Sequence, residues 1–366
     1  MRSRRENWRT QRLGEICKLE YGNNLTEKMR NGGPVPVFGS AGIVGWHDKS
    51  LTSSPTLIIG RKGSVGNVFY SPVPCFPIDT TFFVEELTCK EDLQWLNLFL
   101  SHYDLRKLNM ATAVPGLSRN VTHLIEIPLP PNEEQKQIAS FFQSIETAIE
   151  KVEDQEKSLL SLKKQLLRDL FGNSHQFGNY LTKQDVEPVK FEKLASNISE
   201  RVEPKETDME IYVGLEHLDT DTLTIARTGK PEDVIGTKLK IYKGDIIFGK
   251  RRAYLRKVAV SHFDGIASAH SMILRANENT IEKDFLPYFM QSDTFMERAV
   301  QISEGSLSPT IKWKTLAAQE FIFPKKEKQS RLIEIFKQFD TTTNLLKQQR
   351  LTLRTLKQNL LNEILG

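Results

Sequence analysis

The sequence predicts a mixed α/β (α+β) fold, with two mixed α/β domains joined by two long antiparallel coiled-coil helices as a pseudo-twofold internal repeat. Two observations lead to this prediction. A helical pattern of more than 40 residues occurs twice, and each copy follows a block rich in glycine, proline and β-forming residues. We expect a first mixed domain at 1–131, a first helical spacer at 132–172, a second mixed domain at 173–325 and a second helical spacer at 326–366.

The helical repeat is exact in register. A shift of 194 residues superimposes the two copies without a gap, and neither 132–171 nor 326–365 contains a glycine or proline. The shift places Leu129, Pro130, Gln135, Ile138, Phe142, Lys163 and Gly172 on Phe323, Pro324, Gln329, Leu332, Phe336, Lys357 and Gly366.

Apolar residues recur every seven positions in both copies, which is the pattern of a coiled-coil seam. The repeating position is occupied by Ile138, Ile145, Val152, Leu159 and Leu166 in the first copy and by Leu332, Phe339, Leu346, Leu353 and Leu360 in the second. The companion position carries charges at the same two steps of both copies, and we expect these charges to be hydrated. They are Glu156, Lys163, Arg350 and Lys357.

Connectivity fixes the direction of the second helix. About 38 helical residues rising about 1.5 Å each carry the chain roughly 57 Å from the first block. A second helix that pairs with the first along the apolar seam must therefore run antiparallel and bring the C-terminus back beside the first block. The alternative, in which each helix packs only on its own domain as an amphipathic surface helix, stays open at this point.

The non-helical blocks contain short strands and one helical stretch each. Helical patterns cover Asp92 to Leu108 and Lys283 to Ile302. Buried strands are predicted from β-rich runs at 56–59, 81–84, 245–248 and 271–274.

Composition excludes several classes of protein. The net charge is +4, from 50 basic and 46 acidic residues, which is too small to indicate a nucleic-acid partner by itself. No apolar run approaches the roughly 20 residues of a membrane span, and the basic start is not followed by a secretory signal. The three cysteines are widely spaced, so we expect free thiols in the cytoplasm.

The search for catalytic chemistry finds no complete set of residues. The segment from Gly60 to Gly66 lacks phosphate-loop spacing, so a tight turn between strands is favoured over a nucleotide cradle. The seven histidines have no metal-ligand spacing, and Glu203-Pro204-Lys205 is a degenerate match to a nuclease motif. The tetrapeptide that marks amino-methyltransferases is missing as well. We therefore expect a chain that is not an enzyme and that binds neither a metal nor a cofactor.

Local charge is more informative than the global balance. From Lys238 to Lys257 there are eight basic residues and one acidic residue, with Tyr242 and Tyr254 among them. Arginines can pair with guanine edges while lysines hold phosphates, so this cluster favours DNA contact over an ordinary hydrated edge. Arg61 and Lys62 lie at a comparable turn in the first block.

The whole chain resembles the specificity subunit of type I DNA restriction-modification systems. The resemblance rests on the proline exits that precede both long helices, on the helix ends, and on two stretches inside the modules. These are 127–131 with 133–138, 321–324 with 327–329, the Leu-Leu-x-x-Leu-Lys-x-x-Leu-Leu helix ends, 36–45 and 244–250.

This resemblance implies a non-catalytic DNA reader with two target recognition domains, one for each half of a split target. It also implies three kinds of partner. These are double-stranded DNA, two methyltransferase subunits that bind S-adenosylmethionine and modify adenine, and restriction or translocase subunits. Base-contacting residues do not carry over by motif. Loop position and charge select Ser40, Trp46, Arg61, Lys62, Lys250, Arg251, Arg252, Tyr254 and Arg256 as DNA-binding candidates.

Two other functions remain open from the sequence. One is a scaffold whose coiled coil spaces two protein-binding modules, and the other is the reading subunit of a different restriction class. A scaffold would show no salt-dependent DNA affinity, whereas a DNA reader loses affinity steeply as salt rises.

Overall fold

The structure is a computed structural model that describes residues 7–108, 116–172, 177 and 180–366. The chain divides into two compact units. Unit 1 consists of Met1–Val152 and Gln349–Gly366, and unit 2 consists of Glu153–Gln348. Each unit therefore takes in a segment of both long helices. No helix in the described ranges is long and apolar enough to cross a membrane.

Unit 1 is built on two small sheets. The elements are β1 (Arg9–Arg12), α1 (Leu13–Ile16), β2 (Glu20–Tyr21), β3 (Val35–Gly39), β4 (Gly42–His47), β5 (Thr56–Gly60), β6 (Val68–Ser71), β7 (Phe76–Pro77), β8 (Thr81–Glu85), α2 (Leu93–Tyr103), α3 (Arg119–His123) and β9 (Glu126–Leu129), with short 3-10 turns at Glu27–Met29, Glu86–Thr88 and Leu105–Leu108. A four-stranded sheet has the order β2-β8-β5-β6, a three-stranded sheet has the order β4-β3-β7, and β1 pairs with β9.

The first long helix, α4 (Asn132–Phe171), leads into unit 2. The elements that follow are β10 (Val186–Lys190), α5 (Phe191–Leu194), β11 (Ala195–Ile198), β12 (Arg201–Val202), β13 (Tyr212–Val213), β14 (Lys238–Ile241), β15 (Ile246–Phe248), β16 (Val258–Val260), β17 (Gly265–Ala267), β18 (Met272–Ala276), α6 (Leu286–Gln291), α7 (Asp293–Gln301), α8 (Trp313–Ala317), β19 (Glu320–Pro324) and α9 (Lys326–Leu365), with 3-10 turns at Lys183–Asp185, Pro204–Glu206, Leu215–His217, Pro231–Asp233 and Ala253–Leu255.

The topology of unit 2 repeats that of unit 1. Its sheet β11-β18-β15-β16 has the same order as β2-β8-β5-β6, and β10 pairs with β19 as β1 pairs with β9. The second sheets differ, because unit 2 has the order β12-β14-β17-β13. The predicted internal repeat is confirmed, and it extends from the helices to one sheet of each domain.

The four predicted strands are present as β5, β8, β15 and β18. The two predicted short helices are both interrupted. α2 ends at Tyr103 because Asp104 adopts a left-handed backbone, with φ of 57°. The second stretch divides into α6 and α7 at Ser292, whose backbone is extended. The Ser292 hydroxyl accepts from the amide of Phe295 and so caps the start of α7.

The two long helices have the predicted bounds, and their packing inside unit 1 is antiparallel. Phe142, Ile145 and Ile149 of α4 form a buried cluster with Leu361 of α9. Within the same stretch of α4, Glu146 pairs with Lys357, which precedes Leu361 in α9. The helices therefore do not pack only on their own domains.

The expectation of hydrated charges along this seam is wrong in unit 2. Glu156 and Lys163 are buried, at 8% and 6% exposure. The Lys163 ammonium lies 2.6 Å from a carboxylate oxygen of Asp340 and 3.1 Å from Oε1 of Gln291, and Tyr288 packs against it. Partners from α9 and α6 satisfy the charge, and heptad spacing gives no indication of them.

Two glutamines fasten the long helices to the mixed domains. Gln135 and Gln329, which the repeat superimposes, are fully buried. Gln135 donates to the carbonyl of Pro130 and accepts from the amide of Asp92. Gln329 makes the same pair of bonds in unit 2, because it donates to the carbonyl of Pro324 and accepts from the amide of Glu282.

Candidate nucleic-acid interface

The basic residues predicted to bind DNA lie on equivalent loops of the two units. Arg61 and Lys62 follow β5 in the β5–β6 connection, and Lys250 and Arg251 follow β15 in the β15–β16 connection. The backbone pairing of the two loops supports this equivalence. Lys62 bridges to Gly116, just as Arg251 bridges to Thr310. The segment after Gly60 is thus a turn between paired strands, as predicted.

In unit 1, Ser40 is brought onto this loop. It lies in the turn between β3 and β4, and its hydroxyl accepts from the amide of Ser64 at 3.3 Å. Its carbonyl accepts from the side-chain amide of Asn67 at 3.2 Å. The β3–β4 turn and the β5–β6 loop therefore form one surface, with Lys62 exposed on it.

Arg61 belongs to an aromatic and cationic stack that sequence reasoning missed. Its guanidinium lies 4.7 Å from the ring centre of Tyr21, and that of Arg119 lies 4.9 Å from the same ring. Tyr21 is 45% exposed and also packs on Phe82. Cation–π contacts pre-order the two guanidiniums. Only the pairing of β2 with β8 reveals this stack, since the residues are far apart in the sequence.

Trp46 is not brought to this loop. It lies on β4 opposite Pro36, about 13 Å along the strand from the turn that holds Ser40. Its ring is half exposed, and so are Ile43 and Val44 on the same strand. The hairpin therefore presents an apolar surface of its own.

In unit 2, Lys250 and Arg251 lie side by side at the end of β15. A guanidinium nitrogen of Arg251 is 3.0 Å from Nε2 of His270. Burial lowers the pKa of His270, and the charges of Arg251, Lys250 and Lys238 lower it further. Burial also lowers the pKa of Lys250, with a smaller effect from Arg201. The neighbourhood thus disfavours additional positive charge and attracts anions.

Arg252 and Tyr254 occupy an exposed corner of the same loop. Arg252 has a φ of 58°, and Arg256, at the other end of the 3-10 turn, has a φ of 53°. Such left-handed conformations of non-glycine residues are uncommon and concentrate at functional sites. The Arg252 amide donates to Pro309, and its guanidinium reaches the Ser308 hydroxyl at 3.3 Å. The Tyr254 ring is 53% exposed.

Arg256 differs from the other candidates because its guanidinium is engaged inside the protein. It contacts carboxylate oxygens of Asp221 and Asp293 at 3.1 and 2.9 Å, and it donates to the carbonyl of Gln291 at 2.7 Å. These bonds hold the 3-10 turn against α6 and α7. The lysines at the ends of the charge run are engaged similarly, since Lys238 and Lys257 donate to backbone carbonyls.

Among the described residues, no group of three histidine, cysteine or acidic side chains could hold a metal ion. The chemistry that the loops can offer is binding. They present guanidinium and ammonium donors with exposed tyrosines, which suit phosphates, guanine edges and base faces.

Comparisons with known proteins agree with this reading. Residues 5–160 and 226–354 match the family model described as type I restriction modification DNA specificity domain. The chain is 21% identical to the type I restriction enzyme EcoDI specificity subunit of Escherichia coli, over 93% of this chain and 83% of that protein. It is 22% identical to the MjaVIII specificity subunit of Methanocaldococcus jannaschii, over 74% and 68%.

A solved structure shares the fold. The S subunit of a type I restriction-modification system from M. genitalium matches with a TM-score of 0.65 at 17% identity, over 97% of this chain and 95% of that one. With most of its length matched by the family model, the chain belongs to the type I restriction-modification DNA specificity family, and it is a non-catalytic subunit that supplies DNA sequence specificity.

Proposed function

We propose that each unit reads one half of a split target in double-stranded DNA, through the β5–β6 loop in unit 1 and the β15–β16 loop in unit 2. The observation that carries this proposal is the equivalence of the two loops, since Lys62 bridges to Gly116 as Arg251 bridges to Thr310. The structurally equivalent loop of each unit thus presents adjacent basic residues. The target recognition domains are 1–131 and 173–325, and the helices at 132–172 and 326–366 set the gap between the half-sites.

The geometry supports different roles for the candidate residues. Arg251, Arg252 and Lys62 have side chains at the loop surface and are assigned to base edges or phosphates. Tyr254 and Trp46 offer exposed rings, and Ser40 braces the unit 1 loop. Arg61 and Lys250 are partly buried, each in the loop of its own unit. Arg256 is assigned to positioning the loop, because its donors already have partners inside unit 2.

The proposed assembly contains two methyltransferase subunits and the restriction or translocase subunits. S-adenosylmethionine belongs to the methyltransferase subunits, which modify adenine, and the complex works in the cytoplasm. The relatives are subunits of a type I restriction enzyme and of a type I restriction-modification system, which supports this set of partners.

The test of the function is a methylation map. The chain is co-expressed with its methyltransferase subunit, and methylated adenines are located across a genome by single-molecule sequencing. We expect one two-part motif with a fixed gap. Methylation without sequence preference, or a motif in one piece, would contradict the reading of a split target.

Loop variants then separate phosphate contacts from base readout. Arg251→Ala and Arg252→Ala are titrated in the assembled complex with target and scrambled duplexes at several salt concentrations. Loss of a base-reading arginine should cost about 1–3 kcal/mol on the target and blur one base of the motif. The matched control is Arg227→Ala, because Arg227 lies outside the loop and pairs with Asp219. If Arg251→Ala and Arg252→Ala both behave like the control, unit 2 reads DNA through another surface.

A further inference from the structure

A cleft of about 510 Å³ opens in unit 2 beside the end of β15. Its walls come from β11, β14, β18 and the segment around 310–313. Four cations line it, and the lining residues that the structure describes include no carboxylate. The cations are Arg201, Lys238, Lys250 and Lys312. The cleft is therefore strongly positive and adjoins the proposed DNA-reading loop.

Two of these four cations already have partners. Lys238 is buried, and its ammonium donates to the carbonyls of Ile235 and Gly236. Lys312 lies at the rim and pairs with the exposed Glu304 at 2.6 Å. These two lysines are accounted for by the fold itself.

The fold does not supply partners of this kind for Lys250 and Arg201. Lys250 is half-buried, and neither its ammonium nor the Arg201 guanidinium has an acceptor among the described residues. Burial and the charge of Arg201 both lower the pKa of Lys250. A half-buried ammonium next to a second cation is costly unless an anion compensates it. The free protein therefore carries an electrostatic cost here that a bound anion would relieve.

The cleft wall also has an orphaned hydroxyl. Ser271 is completely buried, and its Oγ has no hydrogen-bond partner within the described part of the chain. Buried polar groups without a partner are rare in native structures. A hydroxyl can donate to an oxyanion, as can the guanidinium and ammonium groups that line the same cleft.

Unit 1 fills the equivalent position with its own side chains. The counterpart of Lys250 is Arg61, because Ile311 donates to the Lys250 carbonyl as Leu117 donates to that of Arg61. The Arg61 guanidinium packs over Tyr21 and Phe82, at 4.7 and 5.7 Å from their ring centres. The Tyr21 ring thus takes the place beside Arg61, whereas the described residues that line the cleft of unit 2 leave the place beside Lys250 open.

We propose that this cleft binds one phosphate group, held by Lys250, Arg201 and the Ser271 hydroxyl. The proposal rests on the proposed function for the source of the phosphate, which would be the DNA backbone. Binding of phosphate itself does not depend on that function, because the cost of the half-buried Lys250 ammonium exists in the free chain.

The first experiment measures melting temperature in inorganic phosphate against chloride at constant ionic strength. We expect phosphate to stabilise the wild-type chain, Ser271→Ala to weaken phosphate binding several-fold, and Lys250→Met to abolish the effect. Because Lys250→Met removes an uncompensated cation, it should also raise the melting temperature in chloride. The control is Lys243→Met, an exposed lysine of the same unit, which should behave as wild type. No phosphate effect in the wild type, or an equal effect in Lys250→Met, would overturn the site.

The second experiment identifies the source. In the methyltransferase complex, Lys250→Met should reduce the slope of log affinity against log salt by about one. Neutral methylphosphonate groups are placed singly along the target duplex, and one position should weaken the wild type but not Lys250→Met. If phosphate stabilises the chain while slope and scan are unchanged, the cleft binds free phosphate and its DNA role is refuted. Target binding that persists in all variants leaves the proposed function intact, so the two failures are distinguishable.

Discussion

The buried ion pair between Lys163 and Asp340 should show an asymmetric response to mutation. The Lys163 side chain is 8% exposed, whereas that of Asp340 is 37% exposed. Removing the carboxylate leaves an ammonium inside the protein beside Oε1 of Gln291 and the Tyr288 ring, which are both neutral. Removing the ammonium leaves a carboxylate that water already reaches. We therefore expect Asp340→Leu to destabilise unit 2 more than Lys163→Met does.

The magnitudes follow from these environments. Stranding a buried charge costs about 3–5 kcal/mol, which we expect for Asp340→Leu. Solvent screening at Asp340 reduces the cost of Lys163→Met to about 1–2 kcal/mol. The double variant Lys163→Met/Asp340→Leu leaves no charge behind, so its stability should return to within about 1 kcal/mol of the wild type.

The assay is urea denaturation of the full chain, analysed as a double-mutant cycle. With a slope of about 3 kcal/mol per molar urea, Asp340→Leu should lower the midpoint by about 1–2 M. The repeat supplies a matched control in unit 1, where Lys357 pairs with Glu146 and the side chains are 26% and 40% exposed. The same cycle there should give a smaller coupling energy. Equal costs for the two single variants of Lys163 and Asp340, or a double variant as unstable as their sum, would refute the reasoning.

Three further outcomes are expected. Gln329→Leu should lower the free energy of unfolding, measured by urea denaturation, by about 2–4 kcal/mol, because it leaves a buried carbonyl and a buried amide without a partner. The glutamine satisfies both at 2.8 Å, and a loss below about 1 kcal/mol would contradict its role. Burial and Arg119 lower the pKa of His123, so the unfolded chain binds more protons below about pH 6.5 and stability falls on acidification; His123→Gln should flatten that fall, and an unchanged pH profile would contradict the assignment. Arg256→Ala should lower the melting temperature of unit 2 without reducing the salt slope of DNA binding, and a reduced slope would show instead that Arg256 contacts a phosphate.

Much of the helical architecture could be predicted because its determinants are local in the sequence. The uninterrupted heptads and the exact repeat gave both helix spans and the antiparallel direction. The breaks at Asp104 and Ser292 were not predictable from apolar spacing, since they depend on a left-handed residue and on a capping side chain. Hydrated charges at Glu156 and Lys163 were expected from residue type alone, and tertiary partners overrode that expectation.

The residues of the candidate site also form two groups, those that a local sequence pattern indicates and those that only the tertiary structure brings together. Charge density selected Lys250, Arg251 and Arg252 as candidates, and loop position selected Arg61 and Lys62. Tyr21, Arg119, Arg201 and Ser271 come near these candidates through contacts between residues far apart in the sequence, so no local pattern could reveal them. Conversely, Arg256 lies in the basic run but is engaged with two carboxylates. Sequence charge therefore identifies cations but does not show which of them are already neutralised by the fold.

The repeat gives the charged seam a consequence beyond stability. The shift of 194 residues carries Lys163 to Lys357 and Glu146 to Asp340. The ion pairs of unit 2 and unit 1 therefore join the same two positions of the repeat. Apolar contacts along a heptad seam tolerate a slip of seven residues, because one apolar side chain replaces another. A slip would separate both lysines from their carboxylates at once. Buried polar residues are known to fix the register of coiled coils in this way. If the helices set the gap between half-sites, the two ion pairs hold the register on which that gap depends.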